Sequence, residues 1–244
     1  MDWRDEGILL SVRPHGETSA IIEVFTAEHG RHAGIVRGGV SRKLAPILQP
    51  GNQISVEWRA RLEEHLGTFT VDLIQSRTAV MEDRARLAAM TSFCAMACYA
   101  LPERQSVPML YSASLDLAGH LVGHADWAAY YALWELALLE ELGLGLDLAT
   151  CAATGGVDDL IYVSPKSGRA VSSDAGAEYA DRMLPLPPFF IGEPFAPIND
   201  VEAALVTTGF FLTKHLASQV LGKPLPPARD RLVASITRLS AGPL

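Results

Sequence analysis

Three observations predict an α+β chain of 244 residues, a small β-barrel followed by an α-helical domain. Residues 7–77 hold short segments rich in Ile, Val, Thr, Phe and Trp, separated by turn chemistry. Near Val80 the apolar period changes from two to the helical spacing. Residues 149–198 lose periodicity and carry Pro185, Pro187, Pro188, Pro194 and Pro197. The expected organisation is therefore a barrel over 1–78 and a helical domain over 79–244, with an irregular insertion at 149–198.

Gly7 to Val12, Ser19 to Thr26, Arg31 to Arg37, Gln53 to Arg59 and Gly67 to Ile74 read as strands. Pro14-His15-Gly16, Glu28-His29-Gly30, Gly38-Gly39 and Pro50-Gly51 punctuate them. Alternation is plain in Ile54-Ser55-Val56-Glu57-Trp58-Arg59 and in Thr68-Phe69-Thr70-Val71-Asp72-Leu73. Five such strands suit a five-stranded OB-type barrel, and an SH3-like barrel reads similarly. Leu87, Met90, Cys94, Ala97 and Leu101 then mark a helix that ends before Pro102. Ser106 is placed to cap a second helix running towards His124, with Pro108 in its first turn. Asp126 is placed to cap a third, Trp127 to Leu142, closed by Gly143. That helix is apolar nearly all round except at Glu135, the signature of a central position in a bundle. Asn199 and Glu202 have capping-box spacing for a helix through Leu221, and a short helix follows Pro227.

Hydrophobic residues are 49% and charged residues 20% of the chain, which excludes a disordered protein. No uncharged apolar run reaches the ~18 residues needed to cross a bilayer, so no membrane association is expected. Met1-Asp2-Trp3-Arg4-Asp5-Glu6 is charged and lacks the apolar core of a signal peptide. Cys94, Cys98 and Cys151 do not make a disulfide framework. The chain reads as a cytoplasmic protein. Its net charge of −8 is unevenly spread. Residues 105–165 contain eight carboxylates and neither Lys nor Arg. Between Arg31 and Arg61, the cations Arg31, Arg37, Arg42, Lys43, Arg59 and Arg61 face Glu57 alone, a local +5. From Lys214 onward, Lys214, Lys223, Arg229, Arg231 and Arg238 oppose Asp230, a local +4. Such polarity steers charged partners.

No catalytic constellation stands out, and the chain is expected not to be an enzyme. His120 and His124 have the spacing of a helical zinc pair, but Leu121 stands where the metalloprotease motif needs Glu. Cys94 and Cys98 sit among Phe93, Met96 and Tyr99, as core cysteines do. Gly143-Leu144-Gly145 follows a helix instead of opening one, so it is not a dinucleotide loop. No nucleophile elbow and no phosphate-cradling loop occur. The basic stretch is more informative. Arg31, Arg37, Arg42 and Lys43 lie on a strand and on the Gly-rich, mobile-looking loop after it, and Arg59 and Arg61 leave the next strand. Cations on a barrel face suit phosphates, with aromatic rings for base stacking. Phe25, Trp58 and Phe69 are the ring candidates, and each reads equally well as core.

Several motifs together resemble the RecO family of bacterial recombination mediators. They are Gly7-Ile8-Leu9-Leu10, Arg13 to Ala20, Phe25 to Arg31, Val36-Arg37-Gly38 and Leu48-Gln49-Pro50-Gly51. Further along come Glu140 to Leu148 with Cys151, Tyr162 to Val171 and Leu221-Gly222-Lys223-Pro224-Leu225. The resemblance runs collinearly through nearly the whole chain. It implies an OB-fold barrel, a helical domain, and binding and annealing of single- and double-stranded DNA. It also implies work with RecR and with the acidic C-terminal tail of single-stranded-DNA-binding protein to load RecA. The resemblance further implies a four-cysteine zinc module, and here the chain departs: Cys151 stands at the first ligand position, Thr154 at the second, Ser172 and Ser173 at the others. The insertion is thus a zinc-module-like segment that has lost its ligands, and no cofactor is expected. An acidic tail needs cations, which the helical stretch would have to recruit from Arg84, Arg86, Arg104, Arg182 or Lys214. The leading expectation is a DNA-binding mediator contacting DNA through Arg31, Arg37, Arg42, Lys43, Arg59 and Arg61, localised in the cytoplasm and at the nucleoid during repair. A barrel-plus-helix protein–protein adaptor is the alternative, favoured by the net charge; a hydrolase built on His120 and His124 is a third.

Overall fold

The computed structural model describes residues 1–194 and 196–241. Two compact units divide it, Met1–Gly123 and His124–Leu244.

In the first unit, strands β1 (Asp2–His15), β2 (Ser19–Thr26), β3 (Gly30–Val36), β4 (Gln53–Arg59) and β5 (Thr68–Gln75) run round a barrel in the order β1-β2-β3-β5-β4. This is the OB-type order: a meander of three strands, then two strands that return to close the ring. β1 begins five residues earlier than its apolar content suggests. Its first half pairs with β4 from Asp2↔Arg59 to Ile8↔Gln53, its second half with β2 from Gly7↔Thr26 to His15↔Ser19, and the register shift between Leu9 and Ser11 bends it from one neighbour to the other. The charged opening segment is thus a strand whose outward positions are polar. The ring closes through two parallel pairs, Ile35↔Thr68 and Val36↔Phe69. Gly34 permits that approach, because a Cβ there would stand 2.5 Å from the Phe69 ring. Leu9, Ile22, Val24, Ile54, Val56, Trp58, Phe69 and Val71 fill the interior.

The segment between β3 and β4, read as a mobile loop, is ordered. Leu44 and Ala45 donate back to the Ser41 carbonyl, Leu48 donates to that of Leu44, and buried Leu48 plugs the barrel. Buried Asn52 fixes its far end, donating to the Pro46 and Ile47 carbonyls and accepting from the Arg77 N–H. Helices α1 (Arg84–Ala100) and α2 (Pro108–His120) complete the unit. Asp83 caps α1, accepting from Ala85 and Arg86. Ser106 does not cap α2; its hydroxyl donates to the Ala27 carbonyl at 2.7 Å, and Val107 takes the cap position.

In the second unit, α3 (Trp127–Glu141) packs on α5 (Ile198–Phe211), and α5 on α6 (Pro227–Ser240). Asp126 precedes α3 without making the expected capping bond. The capping box at Asn199 does not form either: α5 already begins at Ile198, and Glu202 instead accepts from Thr237 and Ser240 on α6 at 2.6 Å each. α5 continues as a π-helix, Leu212–Leu221, ended by Gly222 in the left-handed region. Residues 149–198, expected to be irregular, contain a three-stranded sheet of β6 (Leu160–Val163), β7 (Ala170–Ser172) and β8 (Leu184–Pro185), with the short α4 (Ser173–Gly176) after β7.

The polar break in α3 has a specific partner. Glu135 and Arg229 are both buried and paired: Arg229 Nε donates to Oε1 at 2.7 Å and Nη2 to Oε2 at 2.9 Å, while the Thr208 hydroxyl donates to Oε2 at 2.5 Å. Gly209 leaves room for the guanidinium, whose atoms would lie 2.8 Å from a Cβ there. Breaking a buried pair leaves a charge unmatched, at a cost of about 3–5 kcal/mol, whereas replacing both members with apolar groups is often near neutral. Arg229→Met is therefore expected to lower thermal stability steeply, and Glu135→Leu/Arg229→Met to recover most of the loss. Calorimetry showing a cost under about 1 kcal/mol for the single variant, the scale of an exposed pair, would contradict the assignment.

Candidate nucleic-acid interface

A groove of about 510 Å³ lies over the β3–β5 seam. Val36, Leu44, Ile47 and the Phe69 edge form its apolar floor, Thr68 and Thr70 bring hydroxyls, and Arg37, Lys43 and Arg59 bring the cations. Asp72 is the one carboxylate on its wall. Each cation is placed by the fold. Arg37 is the first residue beyond β3, where Gly38 (φ 68°) turns the chain into the loop. Lys43 precedes the anchored turn of Leu44 to Leu48. Arg59 ends β4 opposite Thr68 at the seam. The groove therefore exists because a loop, a strand end and the closing strand meet where the barrel shuts.

The six cations expected from the sequence have different fates. Arg37, Lys43 and Arg59 share the groove; Arg42 and Arg61 are exposed on the adjoining loops but do not line it. Arg59 hydrogen-bonds to Glu57, and that bond, with Arg4 nearby, holds the Glu57 carboxyl below the usual carboxylate range. Arg31 is spent internally. Its side chain is 14% exposed, pairs with Glu23, and donates from Nε to the Leu101 carbonyl at 2.9 Å. The C-terminal cluster also shrinks as a phosphate surface, because Arg229 is buried on Glu135 and Lys214 donates to the Pro165 carbonyl at 2.8 Å. Among the cations open to an acidic tail, Arg86 donates to the His120 and Leu121 carbonyls and Arg104 to those of Glu63 and His65.

The rings considered for base stacking belong to the core: Phe25, Trp58 and Phe69 are all buried. On the barrel, Trp3 and His29 are half-exposed and stack at 3.9 Å and 7°. The period-two placement of Trp3 and Asp5 ahead of Gly7 was the signal for that strand, and the surrounding charges hid it. Asp5, Glu28 and His29 offer metal-type ligand atoms within 4.8 Å of one another. Asp5 already accepts the Glu28 N–H at 3.3 Å and faces His29 Nδ1 at 3.2 Å, which accounts for the cluster as a lock on the β2–β3 turn. α2 ends at His120, so His124 is not one turn further along the same helix.

The insertion brings three of the four zinc-module positions, Cys151, Thr154 and Ser172, together. Cys151 Sγ accepts the Ser172 N–H at 3.3 Å and lies 3.4 Å from its hydroxyl. One sulfur with the hydroxyls of Thr154, Ser172 and Ser173 does not make the Cys/His set that structural zinc takes, so the residues do not fit the metal. Hydrogen bonds from the Ser172 and Thr154 hydroxyls instead bring the Cys151 thiol down to about 6.

A five-stranded OB-type barrel with a cationic groove over its closing seam, followed by a helical unit, defines a class of protein suited to a polyanionic strand. The family description "Recombination protein O N terminal" matches residues 1–77, and "Recombination protein O C terminal" matches residues 81–227. Relatives called "DNA repair protein RecO" are similar throughout: 54% identical in Cereibacter sphaeroides strain ATCC 17023, over 98% of this chain and all of the relative. The Roseobacter denitrificans and Jannaschia sp. relatives are each 53% identical over 98% of this chain, and over 99% and 97% of their own. The chain belongs to the RecO family of DNA repair proteins. Among the described residues, no helix is long and apolar enough to cross a membrane.

Two outcomes are expected at Cys151. Metal analysis of the purified protein should find no stoichiometric zinc, and chelator should leave the fold intact; about one zinc per chain would contradict this. The native thiol titrates below its unfolded value of 9.0. The unfolded chain therefore binds the extra proton between about pH 6 and 9, and stability rises with pH across that window. Thiolate absorbance near 240 nm should appear about pH 6 and be absent in Cys151→Ala. A thiol that titrates at its ordinary value would refute the hydrogen-bond account.

Proposed function

We propose that this chain is a DNA-binding recombination mediator. It would anneal complementary single strands and, with RecR, help load RecA onto DNA coated by single-stranded-DNA-binding protein. The observation that carries the DNA-contact reading is the convergence of Arg37, Lys43 and Arg59 on one groove, with Arg42 and Arg61 beside it. Annealing asks two polyanions to approach. Cations on the barrel offset part of the phosphate repulsion, and base pairing supplies sequence selection. The barrel over 1–78 is the DNA-contacting module in this reading, and the helical domain from 79 onward serves protein partners. The net charge of −8 favours one competitor, a protein–protein adaptor whose contact with DNA is weak. Salt dependence separates the two.

Each single-strand phosphate neutralised steepens log affinity against log salt by about 0.7, so the three groove cations give a slope of about −2 and all five near −3.5. Arg42→Glu/Lys43→Glu should weaken single-stranded DNA binding and annealing together and flatten the slope. The melting temperature should stay within a degree or two, because exposed charges add little to stability. Wild-type affinity and slope in that variant would refute the groove assignment. Affinity independent of salt in the wild type would favour the adaptor.

A further inference from the structure

The groove of Arg37, Lys43 and Arg59 carries one residue of the wrong sign. Asp72 lies on its wall and also on the wall of a second groove of about 510 Å³, on the outer face of β1, β4 and β5. The two grooves share Thr70 and Asp72, and their charges are opposite. In the second, Asp5, Glu6, Glu57 and Asp72 face Arg4 alone. Glu57 is engaged by Arg4 and Arg59. Asp72 is exposed, and its carboxylate has no ion-pair or hydrogen-bond partner among the described residues. An exposed, unpaired charge adds little to folding, so its effect falls on whatever enters the groove.

Strand pairing fixes where Asp72 stands. Phe69 and Val71 point into the core, so Thr68, Thr70 and Asp72 face outward at successive levels of β5. Across β4 and β1, Thr68 is level with Arg59 and Asp2, Thr70 with Glu57 and Arg4, and Asp72 with Ser55 and Glu6. A polyanion lying in the groove therefore has two ways out across β5. Over Thr68 it reaches Arg59. Over Asp72 it reaches Ser55 and then Glu6, neither of them a cation. Thr68 and Asp72 are ~13 Å apart along the strand. That exceeds the ~8 Å screening length at physiological salt, so Asp72 acts on its own crossing and leaves the other open.

We propose that Asp72 steers the strand: its unpaired carboxylate closes the crossing towards Glu6, and a bound single strand leaves the groove over Thr68 to Arg59. This role rests on the DNA reading of the groove. It needs no contact between Asp72 and DNA, because a like charge raises the energy of the wrong path, as specificity against a competitor does.

The test measures binding of oligothymidylate, whose bases have no amine to donate to a carboxylate, by the full chain across a salt series. Asp72→Asn should tighten binding about threefold and Asp72→Lys about tenfold, the latter with a slope of log affinity against log salt steeper by about 0.7. Asp116→Lys, at an exposed position of α2 that lines neither groove, changes the net charge equally and should alter affinity less than about twofold. Arg59→Gln should weaken the wild type about threefold or more but the Asp72→Lys variant less than about twofold, because the strand then has a second way out. The steering role is overturned if Asp72→Lys binds no better than Asp116→Lys, if Asp72→Asn weakens binding, or if loss of Arg59 costs both backgrounds equally. A wild type whose affinity is independent of salt and unmoved by Arg42→Glu/Lys43→Glu would overturn the DNA reading, and the steering role with it.

Discussion

Two residue pairs hold the barrel shut. Ile35↔Thr68 and Val36↔Phe69 are the whole of the β3–β5 ladder, against seven or eight pairs at each of the antiparallel junctions. A seam this short needs help from side chains and loops, and the structure supplies it: Gly34 lets the backbone approach the Phe69 ring, and the Ile35 N–H donates to the Gly67 carbonyl at 3.1 Å. Trp58 donates from its ring N–H to the Leu66 carbonyl, tying the incoming loop to the core. Because the ladder is short, the chain ends around it stay open, and Arg37, Lys43 and Arg59 gather there. The shortest ladder of the barrel and the groove that holds Arg37, Lys43 and Arg59 are one place.

Charge in this protein does two kinds of work, and burial separates them. Arg31, Arg77 and Arg229 are structural: each donates to backbone carbonyls, and Arg31 and Arg229 also meet carboxylates. Arg37, Arg42, Lys43 and Arg61 remain in water, where their fields reach a partner. The −8 of the whole chain therefore does not describe the local charge of the groove. The eight carboxylates of residues 105–165 mostly sit apart from the groove in sequence, and one of them, Glu135, is itself consumed by Arg229.

Much of the fold was legible because barrel and helices differ in period. The five strands and the main helices stand close to where alternation and turn residues put them. What escaped has a physical reason in each case. β1 began early because its outward residues are charged, and a half-exposed strand reads as a polar tail. The β3–β4 loop looked mobile because its glycines are local while its anchors, Leu44, Ile47 and Leu48, act through the barrel. Caps at Ser106 and Asn199 failed because those side chains, or their helix starts, were engaged elsewhere in three dimensions. At the candidate site, the sequence grouped six cations without showing which of them would be exposed. Whether an arginine meets Glu23 or solvent depends on strand pairing, and spacing does not reveal it. The burial of Arg77 carries no local signature at all.

In the proposed complex with DNA, a single strand lies along the closing seam. Amide hydrogen exchange, measured with and without a single-stranded oligonucleotide, tests it most directly. The expected result is slowed exchange in residues 35–44 and 59–70 on DNA binding, with little change in 198–240. Unchanged exchange along the seam, with slowing confined to 198–240, would contradict it.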